Sequence, residues 1–141
     1  MSAPRAFVVL AALAALEGIA LLAYGIVVGV NALTGGSYGA VGNSTSAIVI
    51  EVVIFVLLGA GLIKIALGWL RMTRWARGPF IMAQLIALLA GASFIFSGAS
   101  EQVLPGIILV VPSILGLILA FNPVVLRTYS DSYRRPGSDV G

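Results

Sequence analysis

The 141-residue chain contains no cysteine and no histidine, and charged residues make up only 9% of it. Without cysteine it cannot form a disulfide, a thiolate metal site, a thiol nucleophile or a lipid-modified cysteine. Without histidine it lacks the commonest general base and the usual axial ligand of haem. The motifs of serine hydrolases, zinc proteases and phosphate-binding loops are also missing. We therefore expect no metal, no cofactor and no enzymatic activity.

Hydrophobic residues, in contrast, make up 60% of the chain and fall into four long runs. A water-soluble chain of this length would have too few charged groups to cover its surface. The first run, from Ala6 to about Leu33, is far longer than the roughly 7 to 15 apolar residues of a signal peptide. We interpret it as a retained membrane span, followed by three more.

Each run is long enough to cross about 30 Å of hydrocarbon as a helix, and only helices or closed barrels satisfy their backbone groups there. The runs are too continuous for the alternating pattern of a membrane barrel. The sequence thus predicts an all-α fold, an antiparallel bundle of four transmembrane helices within residues 1–126, followed by a disordered tail at 127–141. The predicted spans are about 7–31, 46–70, 79–98 and 103–121.

The arginines distinguish the two sides of the predicted bundle. The stretch 32–45 has no charged group, and the turn near Ser100 has only Glu101. All seven arginines fall in the other gaps and the termini, namely Arg5, Arg71, Arg74, Arg77, Arg127, Arg134 and Arg135. The positive-inside rule predicts a multi-pass protein of the cytoplasmic membrane with both termini inside, where Arg71, Arg74 and Arg77 act as topology anchors. Since this rule explains the net charge of +3, we expect no nucleic-acid partner.

Small residues recur at helical spacing along the spans, where they allow membrane helices to approach closely. Gly25 and Gly29 form a GxxxG motif in the first span, and Ala83, Ala87 and Gly91 repeat at every fourth residue in the third. We predict that these residues form helix-packing faces. The faces could serve packing within the chain or against a second copy, and the sequence leaves both open.

Three charged residues, Glu17, Glu51 and Lys64, lie inside the predicted spans. Each costs about 2.5 to 3.5 kcal/mol at the bilayer centre, so each needs a partner, water or neutralisation. Glu17 lies about 15 Å into its span, and Lys64 and Gln84 lie at nearly matching depths in theirs. We predict one intramembrane polar cluster of Glu17, Lys64 and Gln84. Glu51 lies one to two turns from the outer end of its span, so we expect it to reach interfacial water.

The segment Leu16-Glu17-Gly18-Ile19-Ala20 resembles the first span of small multidrug resistance transporters. That resemblance implies a glutamate that exchanges protons for cationic drugs. The run 74–79, Arg-Trp-Ala-Arg-Gly-Pro, followed by Gln84-Leu85, resembles more closely a group of small, uncharacterised four-span membrane proteins of high-GC Gram-positive bacteria. The second resemblance covers nearly the whole chain and implies no established activity.

Two functions fit these observations. The first is a small non-enzymatic accessory or interaction subunit, which packs through its small-residue faces against another membrane protein or a second copy within the lipid bilayer. The alternative is a proton-coupled carrier of small molecules, or a lipid-headgroup binder, that uses Glu17. A purely structural role of the cluster, fixing helix register, is the competing interpretation.

Overall fold

The computed structural model describes residues 4–35 and 44–131, with the side chain of Glu101 excepted. These ranges contain helices and no strand, which confirms the predicted all-α fold. A single 3-10 turn, Arg74–Ala76, joins the second helix to the third. The five α-helices are α1 (Arg5–Leu33), α2 (Thr45–Leu70), α3 (Arg77–Phe96), α4 (Ser100–Ala120) and α5 (Pro123–Asp131).

The first four helices are long and apolar enough to cross a membrane, by length and composition. They match the four predicted spans to within a few residues at each end. Ser44 caps α2, since its hydroxyl oxygen accepts a hydrogen bond from the Ala47 backbone N–H at 3.4 Å. The chain is therefore built as a multi-pass bundle, with α5 as a short addition after the last long helix.

The long helices form two antiparallel hairpins, α1–α2 and α3–α4, each held by a direct contact between glycines. A Cβ atom on Gly18 or on Gly59 would lie 2.8 Å from the carbonyl oxygen of the other residue. The second hairpin repeats this arrangement with Gly91 and Gly106, again at 2.8 Å. Because any side chain at these four positions would push the backbones apart, glycine is what permits each hairpin to close.

Two of the five predicted packing residues, Gly25 and Gly91, are buried inside these hairpins. Gly25 is buried against Phe55, and Gly91 lies in the glycine contact of α3 with α4. Gly29 has only a loose contact, with its notional Cβ 3.8 Å from Val52, while Ala83 and Ala87 are half-buried. The choice between packing within the chain and packing against a second copy, which the sequence left open, is thus resolved for Gly25 and Gly91 in favour of the chain itself.

Within residues 4–35 and 44–131, the two hairpins share a core of buried residues at one end of the bundle. Trp69 of α2 is fully buried there, with its ring 5.8 Å from that of Phe7 and 5.5 Å from that of Phe80, both edge-on. The antiparallel topology places every described arginine at this same end, which we call the arginine-bearing end: Arg5, Arg71, Arg74, Arg77 and Arg127. The other members of this core are Leu10, Ala11, Ala14, Leu62, Ile65, Ala66, Ala76, Ala120 and Val125.

Helix α5 corrects the prediction of a disordered tail from Arg127. Residues 127–131 continue α5, and residues 132–141 lie outside the described part of the chain. The sequence from Arg127 onward has too few large apolar groups to fold alone, but α5 packs against the bundle. Val125 is fully buried in the shared core, and the ring of Tyr129 lies 5.8 Å from that of Phe7. A few apolar side chains are enough to hold α5 in place, because the bundle provides the apolar surface against which they pack.

Replacement of Gly59 by alanine should weaken the α1–α2 hairpin. The new Cβ would lie 2.7 Å from Leu22 Cγ and 2.8 Å from the Gly18 carbonyl oxygen, and the latter, being backbone, cannot turn aside. We expect the free energy of unfolding to fall by about 1 to 3 kcal/mol, the usual cost of overpacking. Reversible unfolding in mixed detergent micelles, followed by circular dichroism, measures this change.

Gly61→Ala is the matched control, since it makes the same substitution two residues away. Nothing lies within 4 Å of the Cβ position at Gly61. That variant should be neutral or slightly more stable, because alanine favours helix over glycine by about 1 kcal/mol. Equal stability changes in the two variants would contradict the glycine contact.

Candidate functional site

A hydrogen bond between Gln84 and Glu17 joins the two hairpins inside their apolar helices. Gln84 of α3 is fully buried, and its Nε2 donates to Glu17 Oε2 of α1 over 2.7 Å. Glu17 itself is half-buried. The structure thus brings together two of the three residues of the predicted cluster.

Glycine again makes room for this contact. Gly116 of α4 lies directly beside the amide, and a Cβ there would lie 3.0 Å from Gln84 Cδ. Leu13 and Phe80 form the other close neighbours of Gly116, at 3.1 Å each. The surroundings of the amide are therefore apolar, and a hydrogen bond there is not weakened by competition with water.

The second polar atom of the Gln84 side chain has no partner. Its Oε1 is buried, and within residues 4–35 and 44–131 it makes no hydrogen bond. The buried Ser113 of α4 does not serve it, because that hydroxyl donates to the Leu109 carbonyl oxygen at 2.6 Å. An unpaired buried acceptor of this kind costs about 1 to 3 kcal/mol. The Gln84 side chain thus donates to Glu17 through Nε2 while its amide oxygen remains an acceptor without a donor.

The prediction that Lys64 belongs to this cluster was wrong. Lys64 is exposed, and its ammonium group lies 5.9 Å from the centroid of the Trp75 ring. Helix α2 faces the bundle through Leu62 and Ala66, and Lys64, two residues from each, lies about 200° around the helix. The prediction rested on depth along the helices, and depth does not say which face of α2 Lys64 occupies.

Glu51 also departs from expectation. Instead of reaching water it is buried, with only 5% of its surface exposed. Tyr24 of α1 interacts with its carboxyl group by a side-chain hydrogen bond and by charge. Sequence analysis overlooked Tyr24, although its depth in the first span is similar to that of Glu51 in the second. This pair lies within one hairpin, so it does not link the two.

At the arginine-bearing end, arginines and α5 hold the loop between α2 and α3. Arg74 Nη2 donates to the Tyr129 carbonyl oxygen at 3.2 Å, and the Tyr129 hydroxyl donates to the Thr73 carbonyl oxygen at 3.3 Å. The guanidinium of Arg77 lies 5.2 Å from the centre of the Phe121 ring. Arg74 and Arg77 therefore have structural contacts of their own, and Arg71 is exposed.

Comparison with family models, curated proteins and solved structures returned no match. Within the described residues, carboxylates do not gather in groups of three or more that would suit a metal ion. What the structure supports is a multi-pass membrane protein of four membrane-length apolar helices, with a carboxyl–amide pair at the junction of its hairpins.

Gln84→Leu should destabilise the junction, because Glu17 would lose its hydrogen-bond donor in apolar surroundings. We expect a loss of about 1 to 3 kcal/mol in the free energy of unfolding. Gln102→Leu is the matched control, since Gln102 is exposed at the start of α4 and should be near neutral. Detergent unfolding of both variants gives the comparison, and a neutral Gln84→Leu would contradict a stabilising bond.

Docking of α5 should weaken in strongly alkaline solution. Burial raises the pKa of Tyr129 above its ordinary value of 10.0, an effect that the nearby Arg77 and Arg74 partly oppose. A raised pKa means that the folded protein holds this proton more tightly, so the contribution to stability is complete below about pH 10 and declines above it. The free energy of unfolding should therefore fall more steeply from about pH 10 upward in the native protein than in Tyr129→Phe. Parallel curves would contradict this assignment.

Proposed function

We propose that the protein is a non-enzymatic membrane carrier that binds either a proton or a small organic cation at Glu17. The observation that supports this most directly is the Gln84–Glu17 hydrogen bond of 2.7 Å, beside a buried Gln84 Oε1 that lacks a donor. This pair of side chains therefore carries two acceptors, the Glu17 carboxyl group and the Gln84 amide oxygen. A proton on Glu17 or an N–H group of a cation would supply what both of them need.

The chemistry favours neutralisation of the Glu17 carboxylate by a proton or a cation that can dissociate. A bare carboxylate in the middle of the bilayer costs about 2.5 to 3.5 kcal/mol, so Glu17 is stable there only with a positive partner or a proton. The cation predicted from the sequence, Lys64, lies on the opposite face of α2. Gln84, which contacts Glu17 from α3, carries no charge, and neither does Gly116 of α4, which lies beside the Gln84 amide. A resident counter-ion is therefore not supplied by these neighbours, and an exchangeable one fits.

The position of the pair couples binding to the arrangement of the hairpins. Within each hairpin the helices pack along their length, whereas contacts between the hairpins are sparse outside the shared core. The Gln84–Glu17 bond crosses this thin junction. A change in what Glu17 binds thus acts on the weakest interface of the bundle, as exchange transport between two arrangements requires.

The positive-inside rule supports a location in the cytoplasmic membrane. The described arginines lie at one end of the bundle, and this rule places that end, with both termini, in the cytoplasm. Glu17 then lies about half the membrane thickness from either side of the membrane.

The role of accessory subunit is less well supported in its original form. Gly25 and Gly91, two residues of the proposed contact faces, are buried within the chain's own hairpins. A partner protein would have to contact other residues. Binding at Glu17 needs no such additional surface, which is why it is the proposal we favour.

Proton release on cation binding tests the proposal. Purified protein in weakly buffered detergent is titrated with phenethylammonium, an organic cation that carries N–H donors, while a pH indicator records released protons. We expect release close to one proton per bound cation, and an apparent affinity that weakens about tenfold for each pH unit of acidification once Glu17 is protonated. Glu17→Gln should abolish the release.

Glu51→Gln is the matched control, since it removes the other carboxyl group that is buried among the apolar helices. It should release protons as the native protein does. Cation binding without proton release, or release that persists in Glu17→Gln, would refute the proposal. If the cation fails to bind and Glu17→Gln only lowers the free energy of unfolding, the carboxyl–amide pair is structural.

A further inference from the structure

A groove at the arginine-bearing end collects positive charge and apolar surface on the flank of α2. It has a volume of about 480 Å³ and opens outward between the end of α2 and the following loop. Its lining consists of Lys64, Leu67, Gly68, Arg71, Thr73 and Trp75. The groove lies on the opposite face of α2 from the shared core, so it is separate from the Glu17 site.

The loop that forms one wall is held in a defined conformation. The Thr73 hydroxyl donates to the Gly68 carbonyl oxygen at 2.9 Å, and the Thr73 backbone N–H donates to the same oxygen at 2.9 Å. Met72 adopts the left-handed conformation, with φ of 53°, which turns the chain back on itself. Gly68 permits the close approach, because a Cβ there would lie 2.7 Å from Ala76 Cβ. Hydrogen bonds and close packing within the chain thus hold this wall of the groove.

The charge of the groove is uncompensated by the part of the chain that the structure describes. Lys64 and Arg71 are both exposed, and neither makes an ion pair with a described carboxylate. The Lys64 ammonium group lies instead over the Trp75 ring, 5.9 Å from the ring centroid. Two cations that converge on one cavity without an acid suit a phosphate group.

The depth of the groove identifies the source of that phosphate. Lys64 lies six residues before the end of α2, about 9 Å into the helix, and a lysine stem extends from such a depth toward the headgroup level. Trp75, 48% exposed, is of the type enriched at that level. Leu67 lines the groove, and Leu57 lies nearer the start of α2. Both have exposed apolar side chains that suit an acyl chain. A free phosphate ion would gain nothing from these apolar walls.

We propose that this groove is a binding site for an anionic phospholipid, with its phosphate between Lys64 and Arg71 and its acyl chain along the exposed flank of α2. The proposal stands independently of the carrier function at Glu17, since the two sites share no residue. It also gives Arg71 a role beyond topology, in contrast to Arg74 and Arg77, whose contacts are within the protein.

Native mass spectrometry of the full chain in detergent tests the site. The protein is titrated with phosphatidylglycerol or with phosphatidylcholine of the same acyl chains. We expect preferential binding of phosphatidylglycerol, a loss of roughly 30-fold in its affinity in the double variant Lys64→Gln/Arg71→Gln, and about fivefold in each single variant. Phosphatidylcholine binding should change little.

Arg5→Gln/Arg127→Gln is the matched control, because it removes the same charge from exposed positions at the same end but outside the groove. It should retain the preference for phosphatidylglycerol. Equal losses in the two double variants would mean that general positive charge attracts the lipid, and would overturn the site. Displacement of the lipid by inorganic phosphate at similar concentration would make it a small-anion site and overturn the proposal as well. Circular dichroism confirms that each variant is folded.

Discussion

Direct backbone contact between glycines is the interaction on which the rest of this bundle depends. Lipid tails are as apolar as leucine, so two apolar helices gain little in the membrane unless their backbones come close enough for dense packing. Gly18 with Gly59 and Gly91 with Gly106 provide that approach once in each hairpin. Each contact sets the register of one helix against the next. Which polar side chains meet inside the bundle depends on that register.

The polar groups are distributed according to this hairpin plan. Tyr24 and Glu51 pair inside one hairpin, whereas Glu17 and Gln84 pair between the two. The first pair reinforces an interface that the glycines already secure. The second pair lies between the hairpins, where few other contacts exist away from the shared core. A change at Glu17 or Gln84 therefore has a larger effect on how the two hairpins pack against each other. This difference is why we propose a function for Glu17 and not for Glu51.

The arginine-bearing end combines two roles that look alike in sequence. Arg74 and Arg77 contact α5 or its neighbouring turn and so help to join the hairpins, while Arg71 and Lys64 turn toward a groove on the outside. The three arginines satisfy the same topological rule. Their separation into internal and external contacts follows from the tight turn at Met72, which redirects the chain between α2 and α3.

The sequence by itself determined the fold class and the four membrane-length helices, because hydrophobic length can be counted along the chain. It also indicated that Glu17 and Gln84 lie within their spans, since depth along a helix can be counted in the same way. Only the tertiary structure decided which face of each helix turns inward. In the folded chain Lys64 lies away from the cluster, Glu51 is buried, and α5 packs on a surface that the bundle provides. The physical reason is that the helices are apolar nearly all round, so inward and outward faces differ in the size of side chains and the fit between neighbours, which no single helix records.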